Sequence, residues 1–272
     1  MNNQEDIDKK YWAKVIRANL TGLPRGKPAL TNITPIWEQV PKVTGQGHYS
    51  HRLLFSPDEK YLFISSGERQ KKDPAQDMTT NLGKIIRLYP DGSVPADNPF
   101  ANSDNPITRQ IWTLGHRNVL GMAFDEPGNL WAHEMGPKGG DEMNLIEAGN
   151  NYGWATVSNG INYDGSPIPD HATRPEFVPP KITWMPVISP ASMSIYHAGK
   201  QDDFSAWQDK ALLGGLSSKS IVVVNLASDG TTASEAYRYD MGNRIRSVLA
   251  IDGQVFALQD GKNGQLIELI PK

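Results

Sequence analysis

The chain has 272 residues, a formal net charge of −3 and no cysteine. The length suits one large domain or two small ones. The charge gives no footprint for nucleic acid, the missing cysteines exclude disulfides and thiolate metal sites, and no apolar run approaches the ~20 residues that span a membrane as a helix. The 25 glycines and 20 prolines fit a chain with many turns.

The first ten residues, Met1 to Lys10, are polar and mixed in charge; without an apolar core they do not read as a signal peptide. Residues 1–43 are weakly patterned. Residues 12–20 read as a strand or a short helix, and residues 33–40 as one edge strand, since Pro35 excludes a central one. From Arg52 a repeating grammar sets in. Residues 52–55 and 61–65 flank the turn Ser56-Pro-Asp-Glu-Lys60 and predict strand, turn, strand. Residues 121–124 and 130–133 repeat it around Asp125-Glu-Pro-Gly-Asn129. Residues 246–250 and 255–258 repeat it around Ile251-Asp-Gly-Gln254. A third strand follows each pair, at 84–88, 142–146 and 265–270. A fourth unit holds residues 211–213 and 221–226. Four units and part of a fifth are legible. Such units bury both faces only by stacking, and radial stacking around a channel, a β-propeller, does this. Short strands at this spacing also permit a β-sandwich; the long loops between three-strand repeats favour the propeller.

The stretches 112–124 and 129–146 enclose a polar centre of His116, Arg117, Asn118, Glu134, Asp141, Glu142 and Asn144 within strand-like apolar runs. Polar groups at strand ends are aimed by a rigid frame. Gly136-Pro137 removes a backbone donor and bends the chain, leaving carbonyls that suit a hard cation such as Ca²⁺. A turn with solvated acids is the plainer reading of the same residues. There is no Gly-x-Gly-x-x-Gly or Gly-Lys-Ser/Thr loop for a nucleotide, and no nucleophile elbow.

Thr113-Leu-Gly-His-Arg-Asn118, Gly136-Pro137, Asp141-Glu142, Asn144-Leu-Ile146 and Asn151-Tyr-Gly-Trp154 occur in one order. Together they resemble the soluble quinoprotein glucose/sorbosone dehydrogenase family over roughly residues 44–270. The resemblance implies an all-β, six-bladed β-propeller of the quinoprotein glucose dehydrogenase type with an incomplete first blade. Residues 1–43 would be the remnant of an early blade and 44–272 the catalytic propeller. It further implies PQQ and Ca²⁺ as cofactors, oxidation of aldose sugars at C1 to aldonolactones, and an external electron acceptor. A periplasmic or secreted location and a monomer or homodimer are also expected, with neither nucleic acid nor a membrane span. The alternative is a non-catalytic or degenerate propeller that binds carbohydrate or protein.

Carried onto this chain, the resemblance makes His48, in Gly47-His-Tyr-Ser-His-Arg52, the general base, where imidazole chemistry is apt. His51 stands where the family usually has Gly. Arg117 and Asn118 match a cofactor-contacting pair, with Arg117 steadying charge that develops during hydride transfer; Val119 and Leu120 replace Pro and Gln of one branch. Gln76 would reach the sugar or the cofactor edge. Arg244 and Arg246, on one side of a strand by alternation, would meet cofactor carboxylates. Ser217 replaces a Lys found in part of the family, and Lys219 would substitute if the strand there is regular. The Gly136 and Pro137 carbonyls match a calcium site under the quinone, where Met135 replaces a Gln of some relatives. Glu142 with the Tyr152 carbonyl matches a second, structural calcium site. Trp184 reads as core, with a sugar-pocket wall as the other reading.

Overall fold

The computed structural model describes residues 9–24, 26–199 and 204–271. The reading of the first ten residues as no signal peptide falls almost wholly outside them. The described residues hold 19 strands and short 3-10 turns. The first four strands are β1 (Lys10–Tyr11), β2 (Lys14–Thr21), β3 (Ala29–Glu38) and β4 (Val43–Thr44). β2 pairs antiparallel with β3, and β1 with β4. The segments read as strand-or-helix and as an edge strand are therefore the two arms of one hairpin. Pro35 is tolerated because a two-stranded ladder has only edges, and the register slips beside its partner Ile16.

Three four-stranded antiparallel sheets follow, each in chain order. The first is β5 (Ser50–Phe55), β6 (Leu62–Ser66), β7 (Lys84–Leu88) and β8 (Ile111–Leu114). The second is β9 (Val119–Phe124), β10 (Leu130–Glu134), β11 (Asp141–Ile146) and β12 (Ile182–Trp184). The third is β13 (Pro190–Ile195), β14 (Ala211–Gly215), β15 (Ser220–Leu226) and β16 (Ala233–Asp240). A three-stranded sheet ends the chain: β17 (Ile245–Ile251), β18 (Gln254–Gln259) and β19 (Leu266–Leu269).

The sheets stack face to face because successive residues of one strand feed opposite cores. Ile85 packs with Val119, Met122 and Ala132 of the second sheet, while its neighbour Ile86 packs with Val15 and Trp37 of the hairpin. Val222 and Val224 join Trp131, Met143 and Trp184; Ile221 and Val223 join Ile245, Val248 and Val255. Burial on both faces explains why these strands read as continuous apolar runs rather than as alternating ones. The first strand of each sheet lies innermost: β9 packs against β5 and β13, and β13 against β17. The architecture is all-β and propeller-like. Among the described residues the radial sheets number four, with the hairpin stacked on the first, so the expected count of six blades is not reached. The β1–β4 ladder pairs Lys10 with Thr44, and the hairpin shares a core with the first sheet, so residues on the two sides of position 43 pack together.

Candidate active site

His48 lies in the loop between β4 and β5, in the left-handed region at φ +45°. Such a conformation persists only where the surroundings over-determine it, and buried Arg69 supplies the restraint. Its guanidinium donates to the carbonyls of Gly45 (2.6 Å) and Gly47 (2.9 Å) and to Gln39 Oε1 (3.0 Å). It also lies 3.6 Å from the centre of the Tyr49 ring. The His48 Nδ1 is bonded to Glu68 Oε1. Glu68 is itself fixed: Oε2 accepts from the Lys72 N–H at 2.6 Å, and its own N–H donates to the Arg117 carbonyl at 3.0 Å. Burial pushes the Glu68 carboxyl up. The hydrogen bonds from His48 and Lys72, with the charges of His48 and Arg117, outweigh burial and hold it below the ordinary carboxylate range. A carboxylate on Nδ1 sets the neutral ring with its proton there and a basic lone pair on Nε2.

Arg117 and Asn118 sit between β8 and β9, positioned from beneath by a buried carboxylate. Glu134 Oε2 accepts from the N–H of Arg117 (2.5 Å) and of Asn118 (3.2 Å). Its Oε1 is 2.9 Å from His116 Nδ1, whose Nε2 meets Thr113 Oγ1 at 2.9 Å. His116 is buried and stacked on Tyr152, so it serves as structure and does not line the cleft. The Arg117 side chain reaches further out. Nη1 donates to the Met135 carbonyl (2.9 Å) and Nη2 to the Tyr163 hydroxyl (3.3 Å), while buried Nε has no partner among the described residues. The guanidinium lies 5.3 Å from the Trp154 ring centre. Asn118 Oδ1 accepts from Ser50 Oγ at 3.0 Å, which ties this loop to the His48 segment.

His48, Glu68, Arg117, Pro137, Trp154 and Tyr163 line one cleft of 350 Å³, at the low end of the roughly 300–1,000 Å³ usual for small-molecule pockets. Next to it is a small pocket of about 10 Å³, bordered by Arg117, Glu134, Gly136, Glu142, Tyr152 and Trp154, room for about one water or ion. Gly136 and Pro137 thus stand between the two spaces. A Cβ on Gly136 would lie 2.2 Å from the Gly140 carbonyl oxygen, so only glycine fits. Among the described residues no hydrogen bond is donated to either the Gly136 or the Pro137 carbonyl. Burial and the neighbouring Glu134 push the Glu142 carboxyl well above its ordinary value, and nearby Asn144 Oδ1 is buried without a partner. The acid that closes the turn is Asp141 instead, accepting from the N–H groups of Gly136, Ile188 and Ser189. The Tyr152 carbonyl accepts from His171 Nε2 at 3.1 Å, which leaves it one lone pair. No group of three or more His, Cys, Asp or Glu among the described residues has metal-holding geometry. A cation here would rely on carbonyls and single carboxylates, a hard-oxygen donor set of the kind Ca²⁺ takes. The residues present fit such an ion.

Four expected site residues lie elsewhere. The Gln76 amide is engaged with Asn151 and the Trp154 carbonyl (2.6 Å), and Gln76 is not among the residues that line the cleft. Lys219 is exposed at φ +51° in the turn between β14 and β15. Strand alternation therefore does not carry it to the position of Ser217, whose hydroxyl donates to the Val187 carbonyl. Arg244 and Arg246 do share a face, but the anion they meet is Asp260. Trp184 is core, its indole N–H donating to Glu235. Glu68, Arg69 and Tyr163 were missed: each acts from a loop, and no periodicity marks them.

The profile of the glucose/sorbosone dehydrogenase family matches residues 2–268. The chain is 35% identical over 249 residues to the aldose sugar dehydrogenase YliI of Escherichia coli, covering 89% of this chain and 65% of that one. It is 30% identical to quinoprotein glucose dehydrogenase B of Acinetobacter calcoaceticus, covering 78% of this chain and 58% of that one. The chain thus spans less than two thirds of these relatives' length. The apo crystal structure of the soluble aldose sugar dehydrogenase from Escherichia coli superimposes with a TM-score of 0.80 at 32% identity, covering 96% of this chain and 78% of that one. On the matched profile and these relatives, the chain belongs to the glucose/sorbosone dehydrogenase family.

Proposed function

We propose that the chain carries the catalytic site of a PQQ- and Ca²⁺-dependent aldose sugar dehydrogenase, oxidising C1 to the aldonolactone and passing electrons to an external acceptor. The observation that carries this reading is the gathering of the His48–Glu68 pair, Arg117 with its unpartnered Nε, and Pro137 in one cleft. The relatives named as aldose sugar and quinoprotein glucose dehydrogenases support it. A six-bladed parent propeller and a periplasmic or secreted location belong to the same proposal.

His48 Nε2 takes the proton of the anomeric hydroxyl, and the Glu68 carboxylate stabilises the imidazolium that results. Arg117, held at Met135 and Tyr163, faces the place where negative charge develops; a guanidinium fixed before the reaction costs no reorganisation during it. The Trp154 ring offers a flat apolar wall. The carbonyls of Gly136 and Pro137 would hold the cation, and Glu142 with the Tyr152 carbonyl a second one. When bound, the quinone supplies a two-electron acceptor for the hydride leaving C1, and the cation beside it a Lewis acid. Titration of the purified chain with PQQ in Ca²⁺, followed by glucose-dependent dye reduction, tests the proposal. Saturable binding with turnover supports it; a folded chain that neither binds nor turns over favours the non-catalytic reading.

A further inference from the structure

The two arginines at the start of β17 are not free. Asp260 follows β18, and its backbone N–H donates to the Arg244 carbonyl at 2.8 Å, which fixes its carboxylate opposite the pair. Oδ2 accepts from Arg244 Nε at 2.9 Å; Oδ1 accepts from Arg246 Nε and lies 3.0 Å from Arg246 Nη2. One carboxylate thus grips the inner edges of two guanidinium groups. A guanidinium has five N–H donors in a fixed fork. Arg244 keeps both terminal nitrogens for another acceptor, and Arg246 keeps Nη1. The two side chains are about half exposed and carry like charge, so without a common anion they would separate and sample many rotamers.

Charge around them is out of balance. On β5, Arg52 donates through Nε to the Leu120 carbonyl (2.6 Å) and through Nη2 to the Ala191 carbonyl, with no acid partner among the described residues. Burial, and after it the charge of Arg246, push Arg52 down from its ordinary value. Two cations therefore face one carboxylate at the start of β17, an excess of one positive charge.

We infer that Asp260 is a positioning residue, which clamps Arg244 and Arg246 by their Nε edges so that their outer edges form one preformed fork for a polycarboxylate anion. This rests on the proposed PQQ-dependent function together with the expectation, carried by the family resemblance, that Arg244 and Arg246 meet cofactor carboxylates. Fixing a flexible pair in its bound geometry raises affinity by removing the ordering cost at binding. A competing role for Asp260, as an internal anion that the ligand must displace, predicts the opposite sign, and ionic strength separates the two.

The test is direct binding of PQQ to the full chain in Ca²⁺, followed by quenching of tryptophan fluorescence, at 0.05 and 0.5 M NaCl. Wild type, Asp260→Asn, Asp260→Glu and Arg246→Ala are compared, with thermal unfolding as the check on folding. At 0.5 M the screening length is about 4 Å, so the lost charge counts for little and the lost geometry remains. There Asp260→Asn should bind about tenfold more weakly, and Asp260→Glu should recover most of the loss. At 0.05 M the deficit of Asp260→Asn should shrink, giving a steeper salt dependence than wild type. Equal or tighter binding by Asp260→Asn at 0.5 M overturns the inference. If Arg246→Ala binds as well as wild type, the fork is not the anion site and the underlying reading falls with it. Loss in Arg246→Ala with Asp260→Asn unchanged removes the positioning role alone.

Discussion

At the scale of single residues, the account turns on His48 and the carboxylate behind it. Replacing His48 by Ala removes the proposed base and should lower kcat by about 10²–10⁴-fold, the usual worth of a positioned proton acceptor, while PQQ binding stays close to wild type. Glu68→Gln keeps the shape but not the charge, and a smaller loss in kcat is expected. The same substitution has a signature in stability. The folded-state pKa of Glu68 is depressed, so its contribution is present above the ordinary carboxylate value near 4.5 and is lost as pH falls through the folded value. Urea midpoints measured from pH 7 to pH 3 should therefore fall more steeply in wild type than in Glu68→Gln. His48 was legible through its neighbours Gly47 and Arg52. Glu68 was not, because its approach depends on a loop in which Arg69, Gln70 and Lys72 all have positive φ, and sequence gives no sign of such a path for residues of these types.

At the scale of elements, the turn between β10 and β11 and the loop before β7 make the sharpest predictions. Gly136 has no room for a methyl group against the Gly140 carbonyl, so Gly136→Ala should cost roughly 1–3 kcal/mol by overpacking and abolish any rise in unfolding temperature produced by Ca²⁺. Differential scanning calorimetry with and without chelator reads both effects. Lys84, at the start of β7, is buried, and its ammonium donates to the carbonyls of Pro74 (2.7 Å), Ala75 (3.0 Å) and Leu82 (2.8 Å). Lys84→Met leaves the Leu82 carbonyl without a donor, whereas the Pro74 and Ala75 carbonyls keep the N–H groups of Asp77 and Gly115; a loss of about 1–3 kcal/mol in urea unfolding is expected, the usual cost of one buried unsatisfied group. Most strands of the four sheets were readable from apolar runs closed by Asp, Gly, Asn and Pro turns. The β2–β3 hairpin was not, because most of its residues are exposed and a strand with no buried face shows no period-2 signal. Lys219 went astray for a related reason: alternation holds only inside a strand, and the chain turns at Lys219.

For the whole molecule, stacking joins sites far apart in sequence. The cleft draws on residues from 48 to 164, whereas the arginine fork belongs to the last sheet, and the common inner strands β5, β9, β13 and β17 hold the frame between them. A ligand bound only by the folded chain stabilises it by mass action, about 2.7 kcal/mol at a hundred times its Kd. PQQ and Ca²⁺ together should therefore raise the unfolding temperature more than either alone, provided both sites lie on one cooperative unit. The family was legible because its motifs lie close together in sequence, on β8, β11 and the turns beside them. The strand pattern gave four units and part of a fifth, which correspond to the four sheets and the hairpin; the count of six was implied by the resemblance alone.

The most direct measurement is glucose-dependent dye reduction by the purified chain reconstituted with PQQ and Ca²⁺, run beside His48→Ala under the same loading. The account predicts turnover by wild type and its loss in a variant that still binds PQQ. Turnover that survives in His48→Ala, or a folded wild type that binds no PQQ, would contradict it.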